Sequence, residues 1–492
     1  MQQLDQQTLG NQCLHQFINN QWVKSHGERH LAVTNPYEES VIAEVTAGDP
    51  RDVDAAVEAA AIAFEGWQTL SGAERAVYLE AFAEGLTTRR EALVELSVRN
   101  NGKIRAEAEI DLDDAIGCYR YYAEQARALD ARQGVAVEHD VEGYAGHCYQ
   151  EPAGVVGLIT PWNFPLVTSA WKVAPALAAG CTLVIKPSEV TPLPEQVMAE
   201  IALEAKLPAG VFNLLHGDGE GIGGPLTRHP RIDKISFTGS NVVGEKVMQA
   251  AACGIRGVSL ELGGKSPIIV LEDANIEEAA DWVMAGIYFN AGQICSATSR
   301  LLVHEAVADD LHAALAKRID ALVLGDPMDA ATQMGPMTSA RQRDTVLNYL
   351  DVAREEGLTV LRDGTHRTLP AQGYFVAPTL FTEVPLESRL WREEIFGPVL
   401  CSHTVANEAE AIRLANDSDY GLVGTVISGD AKRARAVCRR LRTGVTWYNS
   451  EQIPLVQASW GGFKRSGIGR ELGPWGLAGY LEVKHIIGPV LD

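Results

Sequence analysis

The chain reads as an α/β protein built on open parallel sheets, and three features of its 492 residues point there. Between Gly154 and Ala252, short apolar strands alternate with amphipathic helices, the pattern of a parallel sheet covered on both faces. A second alternating region runs from Ser266 to about Asn449. The strands of the first region end in polar, glycine-bearing segments: Thr160-Pro-Trp162-Asn163, Lys186-Pro-Ser188-Glu189, His216-Gly-Asp-Gly219 and Thr238-Gly239-Ser240. Open α/β sheets take ligands at the carboxyl ends of their strands, so this rim is the expected site.

In chain order, residues 16 to 46 read as short strands around turns. From Asp49 to about Leu129 the pattern is helical, with apolar residues three and four apart in Val53–Phe64 and Ala73–Leu86. Val135–Gln150 is strand-like without a helical partner, an arm or edge ribbon suited to subunit pairing. The central strands are expected at Gly154–Thr160, Cys181–Ile185, Val211–Leu215 and Lys234–Phe237, with helices at Ser169–Ala179, Leu193–Ala205 and Val242–Ala252. Strands at Ser299–Val303, Val399–Val405 and Leu422–Ser428 belong to the second region, and Ala478–Asp492 returns to β-like residues. A chain of this length exceeds one core, so two or three domains are expected.

Composition narrows the function. With 46% hydrophobic and 22% charged residues and no run long enough to span a bilayer, the chain is globular in type. A formal charge of −22 argues against nucleic acid and anionic membranes as partners. Eight cysteines without a Cys-x-x-Cys fit reduced thiols, and Met1–Gln12 lacks the pattern of a signal peptide, so a cytoplasmic protein is expected. The histidines show no paired ligand spacing, and no metal is expected.

Several short segments can carry chemistry. Cys295 lies in Phe289-Asn-Ala-Gly-Gln-Ile-Cys-Ser-Ala-Thr-Ser-Arg300, where a thiol would be the strongest available nucleophile once deprotonated. Glu261 interrupts the apolar run Val258-Ser-Leu-Glu-Leu262 before two glycines; buried there, its pKa would rise toward that of a general base, and a surface loop carboxylate is the alternative. Gly239-Ser240, opening a helix, suits a pyrophosphate or is simply an N-cap. Lys186 and Glu189 can meet ribose hydroxyls, with Glu189 disfavouring a 2′-phosphate, or can form a solvated ion pair. Gly219-Glu-Gly221-Ile-Gly223-Gly224 matches a dinucleotide glycine pattern, but 46 glycines make such matches easy.

Pro161-Trp-Asn163-Phe-Pro, Lys186-Pro-Ser-Glu189, Phe237-Thr-Gly-Ser240, Glu261-Leu-Gly-Gly, Gly292-Gln-Ile-Cys295 and Glu394-Ile-Phe396-Gly-Pro398, in this order, resemble the NAD(P)-dependent aldehyde dehydrogenase superfamily over nearly the whole chain. The resemblance implies a three-domain architecture: a cofactor domain from residues 1–130 and 151–262, a catalytic domain from 263–470, and oligomerisation strands from 131–150 and 471–492. It implies a homodimer or homotetramer that takes NAD, with NADP the lesser alternative. By the same resemblance Cys295 attacks the aldehyde, Asn163 and the Cys295 N–H hold the oxyanion, and Glu261 activates the water that releases the acid. Thr160, Trp162, Lys186, Ser188, Glu189, Gly219, Gly223, Gly239, Ser240, Leu262, Glu394 and Phe396 would contact the cofactor, while Lys172 and Glu471 match a proton relay of some members.

The segments Gln293–Arg300 and Trp460–Gly476 are similar to those of the betaine-aldehyde and aminoaldehyde branch. There an aromatic box holds a cationic head group, matched here by Phe164, Trp171, Phe289 and Trp460; each cation–π contact is worth about 0.5–2 kcal/mol. Glu451 on a neighbouring loop would favour ω-aminoaldehydes, and Pro454 departs from some choline-type sites. The alternatives are a general tunnel for aliphatic and aromatic aldehydes, a CoA-acylating relative, which would typically lack Glu261, and an inactive binding protein.

Overall fold

A computed structural model of the chain describes residues 13–364 and 368–490. The polar stretch Met1–Gln12 and the last two residues of the tail lie outside the described residues.

The first alternating region forms the core of an eight-stranded sheet. Five strands run parallel in the order Gly257–Glu261, Lys234–Thr238, Val155–Ile159, Thr182–Lys186 and Phe212–Leu214. Val155–Ile159 and Thr182–Lys186 are buried throughout, as continuous apolar runs in a two-sided sheet should be. Antiparallel edges close both sides: the hairpin Gln16–Ile18 and Gln21–Val23 on one, Gly467–Ile468 on the other. That last strand comes from the late part of the chain, so the cofactor sheet is completed by residues beyond 262. The second region forms a seven-stranded sheet, six strands of it parallel, centred on Arg300–His304 and Pro267–Val270.

The helix expected from Ser169 starts earlier, at Pro165, because proline at the first helical position needs no N–H partner. It stops at Gly180, whose φ of 98° is the left-handed C-terminal turn. The Asp49–Leu129 segment divides into Pro50–Trp67, Gly72–Thr88, Arg90–Asn101 and Arg105–Asp130. Val135–Gln150 resolves into Val135–Ala136 and Tyr144–Pro152, and Tyr144–Pro152 pairs antiparallel with Leu481–Pro489 from the tail. This three-stranded ribbon exposes Val483, Ile486 and Ile487. Among the described residues, no helix is long and apolar enough to cross a membrane, and no cluster of His, Cys, Asp or Glu is arranged to hold a metal ion.

Behind the sheet rim, Glu195 of helix Leu193–Glu204 is fully buried and accepts hydrogen bonds from Ser169 Oγ at 2.8 Å and Thr160 Oγ1 at 3.4 Å. Burial pushes its carboxyl up to about 8. The folded value lies above the unfolded one, so the stability that Glu195 contributes is complete below about pH 4.3 and is lost as pH rises through the folded value. Glu195→Gln keeps an acceptor and removes the titration. Its Tm should therefore gain on that of the parent protein between about pH 5 and about pH 9; a difference constant with pH in thermal unfolding would contradict the assignment.

Candidate active site

Strand register places Ile159 opposite both Lys186 and Phe237, and Thr238 opposite Glu261, so the carboxyl ends of four strands lie side by side. A cavity of about 940 Å³ opens along this rim. Thr160, Trp162, Lys186, Ser188, Glu189, Gly219, Gly223, Gly239, Ser240 and Leu262 all line it. Lys186 Nζ donates to Glu189 Oε2 at 3.0 Å and to the Pro187 carbonyl at 2.9 Å, which holds the pair at the mouth. Ser240 caps helix Asn241–Cys253 with its N-terminus turned to the rim. Gly219–Gly223 is a π-turn capped by Asp218, leading into the short helix Gly224–Arg228. The glycine pattern there is thus not a tight strand-to-helix dinucleotide turn.

Farther in, Glu394 Oε1 accepts from the Gly264 N–H at 2.9 Å. Burial pushes the Glu394 carboxyl up to about 7, against the opposing pull of that N–H and of Lys265. A side chain at position 263 would meet the Glu394 carboxylate, which would have to shift. Phe396, at a φ of 57°, sets its ring at 5.3 Å from Trp162 with the planes at 83°. The groove therefore offers hydroxyl acceptors, a helix N-terminus and ring walls, a donor set that fits a dinucleotide.

Cys295 is half-buried deeper in the same cavity. Its loop follows helix Ile276–Tyr288 through three successive left-handed residues, Asn290, Ala291 and Gly292, with φ of 48°, 52° and 75°. Left-handed non-glycine residues cost about 1–3 kcal/mol each and persist only where their surroundings fix them. Here Gln293 Nε2 donates to the Asn290 carbonyl at 2.9 Å, and the Thr338 N–H donates to Gln293 Oε1 at 2.9 Å. On the far side, buried Arg300 donates to the carbonyls of Lys265, Leu414 and Ala415, tying the loop's exit to the second sheet. Asn163 Nδ2 donates to the Gln293 carbonyl at 3.0 Å, so the amide already lies against the cysteine loop. Desolvation, with the carboxylates of Glu261 and Glu394 adding to it, pushes the Cys295 thiol up to about 12.

Glu261 is 4% exposed, and neither carboxylate oxygen has a hydrogen-bond partner among the described residues. Burial and the neighbouring Glu471 hold its pKa well above the ordinary value, only partly offset by Lys172 and Arg470. A side chain at position 461 would collide with its carboxylate, so Gly461 makes its room. Lys172 and Glu471 form a fully buried ion pair behind Glu261 and do not line the cavity. Lys172 Nζ also donates to Thr238 Oγ1 at 2.7 Å, and Ser236 Oγ donates to Glu471 Oε1 at 3.2 Å. One ammonium is thus shared electrostatically between two buried carboxyl groups.

The remaining wall is aromatic. Phe164 and Phe289 stack at 6.1 Å and 9°, and Trp171 meets Trp460 at 5.3 Å. All four line the cavity with Glu451, as two ring pairs. Lys103 Nζ sits 3.9 Å from the Phe164 ring centre and pairs with Asp111 at 2.9 Å, so Phe164 already carries a cation of the chain's own. Asp114 also lines the cavity, and burial together with Asp111 and Asp113 pushes its carboxyl up to about 7. Sequence reasoning missed Lys103, Asp111 and Asp114. The signal was present in Asp111-Leu-Asp-Asp114, where two acids three apart share one face of a helix.

The aldehyde dehydrogenase family profile matches residues 22–486. The chain belongs to the aldehyde dehydrogenase family. It is 43% identical to a chloroplastic betaine aldehyde dehydrogenase of Beta vulgaris, covering 96% of each chain. It is 45% identical to a peroxisomal aminoaldehyde dehydrogenase of Pisum sativum, covering 96% of this chain and 94% of that one. A crystal structure of betaine aldehyde dehydrogenase from Staphylococcus aureus in complex with NAD+ superposes with a TM-score of 0.94 at 39% identity, over 99% of this chain and 97% of that one. These relatives also correct the cytoplasmic expectation, since the two plant enzymes are assigned to organelles.

The buried pair in this family member makes one stability outcome firm. Lys172→Met leaves Glu471 buried without its ammonium, a change that costs about 3–5 kcal/mol. Chemical denaturation should show that loss; a variant within about 1 kcal/mol of the parent would mean that the pair contributes little to stability.

Proposed function

We propose that this aldehyde dehydrogenase oxidises cationic aldehydes, betaine aldehyde or an ω-aminoaldehyde, to the carboxylic acid with NAD+. The observation that carries the reading is the convergence on one cavity of a thiol, an amide donor and a buried carboxyl with two free oxygens, next to a groove fitted for a dinucleotide. In this reading the Cys295 thiolate attacks the aldehyde carbon, forming the carbon–sulfur bond of a thiohemiacetal. Asn163 Nδ2 and the Cys295 N–H receive the oxyanion, one such donor being worth about 2.7–4 kcal/mol at the transition state. NAD+, when bound, would accept the hydride whose loss turns the thiohemiacetal into a thioester, and its positive ring would favour the thiolate. Glu261 then takes a proton from water as the hydroxyl attacks the thioester, which releases the acid and returns the thiol. Its raised pKa suits a general base, and Lys172 and Glu471, the expected relay pair, lie behind it without a hydrogen bond to it.

Lys186 and Glu189 would meet the adenosine ribose, Ser240 the pyrophosphate, and Glu394 the nicotinamide ribose, with Glu189 favouring NAD over NADP. For the cationic head group, Trp171 and Trp460 offer ring faces while Asp114 and Glu451 offer charge. Names of the similar proteins support this substrate class. The sheets support the division into residues 1–130 with 151–262, 263–470 and the two arm segments, apart from Gly467–Ile468 and the arm strand Tyr144–Pro152, which runs past residue 150. The exposed apolar face of the Tyr144–Pro152 and Leu481–Pro489 ribbon supports assembly as a homodimer or homotetramer.

Cys295→Ala should abolish NADH formation, and Glu261→Gln should slow turnover and accumulate an acyl adduct on Cys295. Near-parental turnover of the first variant, or an adduct-free intact mass for a slow second one, would refute these roles. The substrate class is tested by Asp114→Asn. Because Asp114 charges as pH rises past about 7, the KM for betaine aldehyde should fall with rising pH in the parent but not in the variant. At alkaline pH the variant's KM should be about two- to fivefold higher, with that for propanal unchanged. Equal effects on both aldehydes would favour a general aldehyde tunnel.

A further inference from the structure

The catalytic scheme leaves one buried carboxyl unused although it touches the nucleophile's loop. Glu107 lies in the first turn of helix Arg105–Asp130 and is 4% exposed. One oxygen, Oε2, accepts from the Ile104 N–H at 3.1 Å and closes the helix N-terminus. The other, Oε1, accepts from the Asn290 N–H at 2.7 Å, across 183 residues of sequence. Asn290 is the first of the three left-handed residues that lead to Cys295. Its own Nδ2 donates to the Asn163 carbonyl at 3.2 Å and to the Gln293 carbonyl at 3.3 Å. Asn163 Nδ2 points at that same Gln293 carbonyl.

We infer that Glu107 is a positioning residue that acts through Asn290 to fix the Cys295 thiol and the Asn163 amide relative to each other. The turn at Asn290 is strained, and beside the loop's own Gln293 the Glu107 carboxylate is a buried acceptor from outside the loop that holds it. The same short segment braces the amide from its other side. Asn101 Nδ2 donates to the Trp162 carbonyl at 2.8 Å, and Lys103 sits on Phe164, the residue after Asn163. Segment Asn101–Glu107 thus grips both halves of the reaction centre while touching neither reacting atom. A thiol displaced by about 1 Å from its attack geometry loses on the order of a hundredfold in rate.

The inference rests on the assignment of Cys295 and Asn163 above, and two substitutions separate positioning from folding. Glu107→Gln keeps the length and one amide oxygen to accept from the Asn290 N–H, and gives up the acceptor at the Ile104 N–H. Glu107→Asp keeps a carboxylate that can cap the Ile104 N–H but is one methylene too short for Asn290. The full-length protein and both variants are assayed with betaine aldehyde and NAD+ for kcat and for the KM of NAD+. Alkylation of Cys295 by iodoacetamide is followed by peptide mass spectrometry in parallel. The Asp variant should lose about tenfold or more in kcat with the KM for NAD+ within about twofold, and its Cys295 should be alkylated faster as the loop relaxes; the Gln variant should stay near the parent in both. An Asp variant that matches the parent, or equal losses in both variants, overturns the inference. If the parent protein forms no NADH, the functional reading fails instead, and the alkylation rates alone decide the positioning.

Discussion

Keeping a carboxyl group buried and without a hydrogen-bond partner beside a thiol is the constraint on which the rest of this structure depends. An isolated ionised Glu261 would be expensive to hold in its pocket, so the group takes up a proton more readily than in water. Lys172 limits that tendency from behind, shared as it is with Glu471. The balance between desolvation and one nearby ammonium decides how basic Glu261 is. Because neither Lys172 nor Glu471 reaches the cavity, the tuning is done by groups the substrate does not meet.

The cysteine depends on the same balance. Its thiol is raised by burial, and the two carboxyl groups that would repel a thiolate are themselves pushed toward neutrality. When they are protonated their repulsion vanishes, and the thiol's resistance to ionisation is then mainly desolvation. A cationic ligand in the groove acts directly against that remaining cost. Loop geometry adds the second requirement, since three left-handed residues place Cys295 against Asn163 and must be fixed by contacts from several elements.

The selection of the aldehyde proposed above sits on a different part of the fold. Helix Arg105–Asp130 brings Asp111 and Asp114 under the aromatic wall, and Lys103 neutralises the first while occupying Phe164. The Trp171–Trp460 pair, with Asp114 and Glu451 on the same cavity, carries no such internal cation. Trp460 is in turn locked to Glu471 by two backbone hydrogen bonds, 2.7 and 2.8 Å. The substrate wall and the charge network behind Glu261 are therefore one mechanical piece.

By itself the sequence determined the alternation of buried strands and helices, the polar rim at the strand ends, and the motifs around Cys295, Glu261, Asn163, Lys186 and Glu394. These are local patterns, and local residue order is enough to state them. Val399–Val405 was legible to the residue because a short run rich in apolar and β-branched residues needs no distant partner to be recognised. Other features arise only when distant segments meet. Gly467–Ile468 joins the cofactor sheet because its partner strand Gly257–Glu261 has an open edge. Phe164 lost its free face because Lys103 packs over it, and Glu107 reached Asn290 because a helix N-terminus docks on a strained turn. Charge and hydrogen bonding act through space, so the electrostatic state of Glu261 and the fixing of the cysteine loop belonged to the tertiary structure alone.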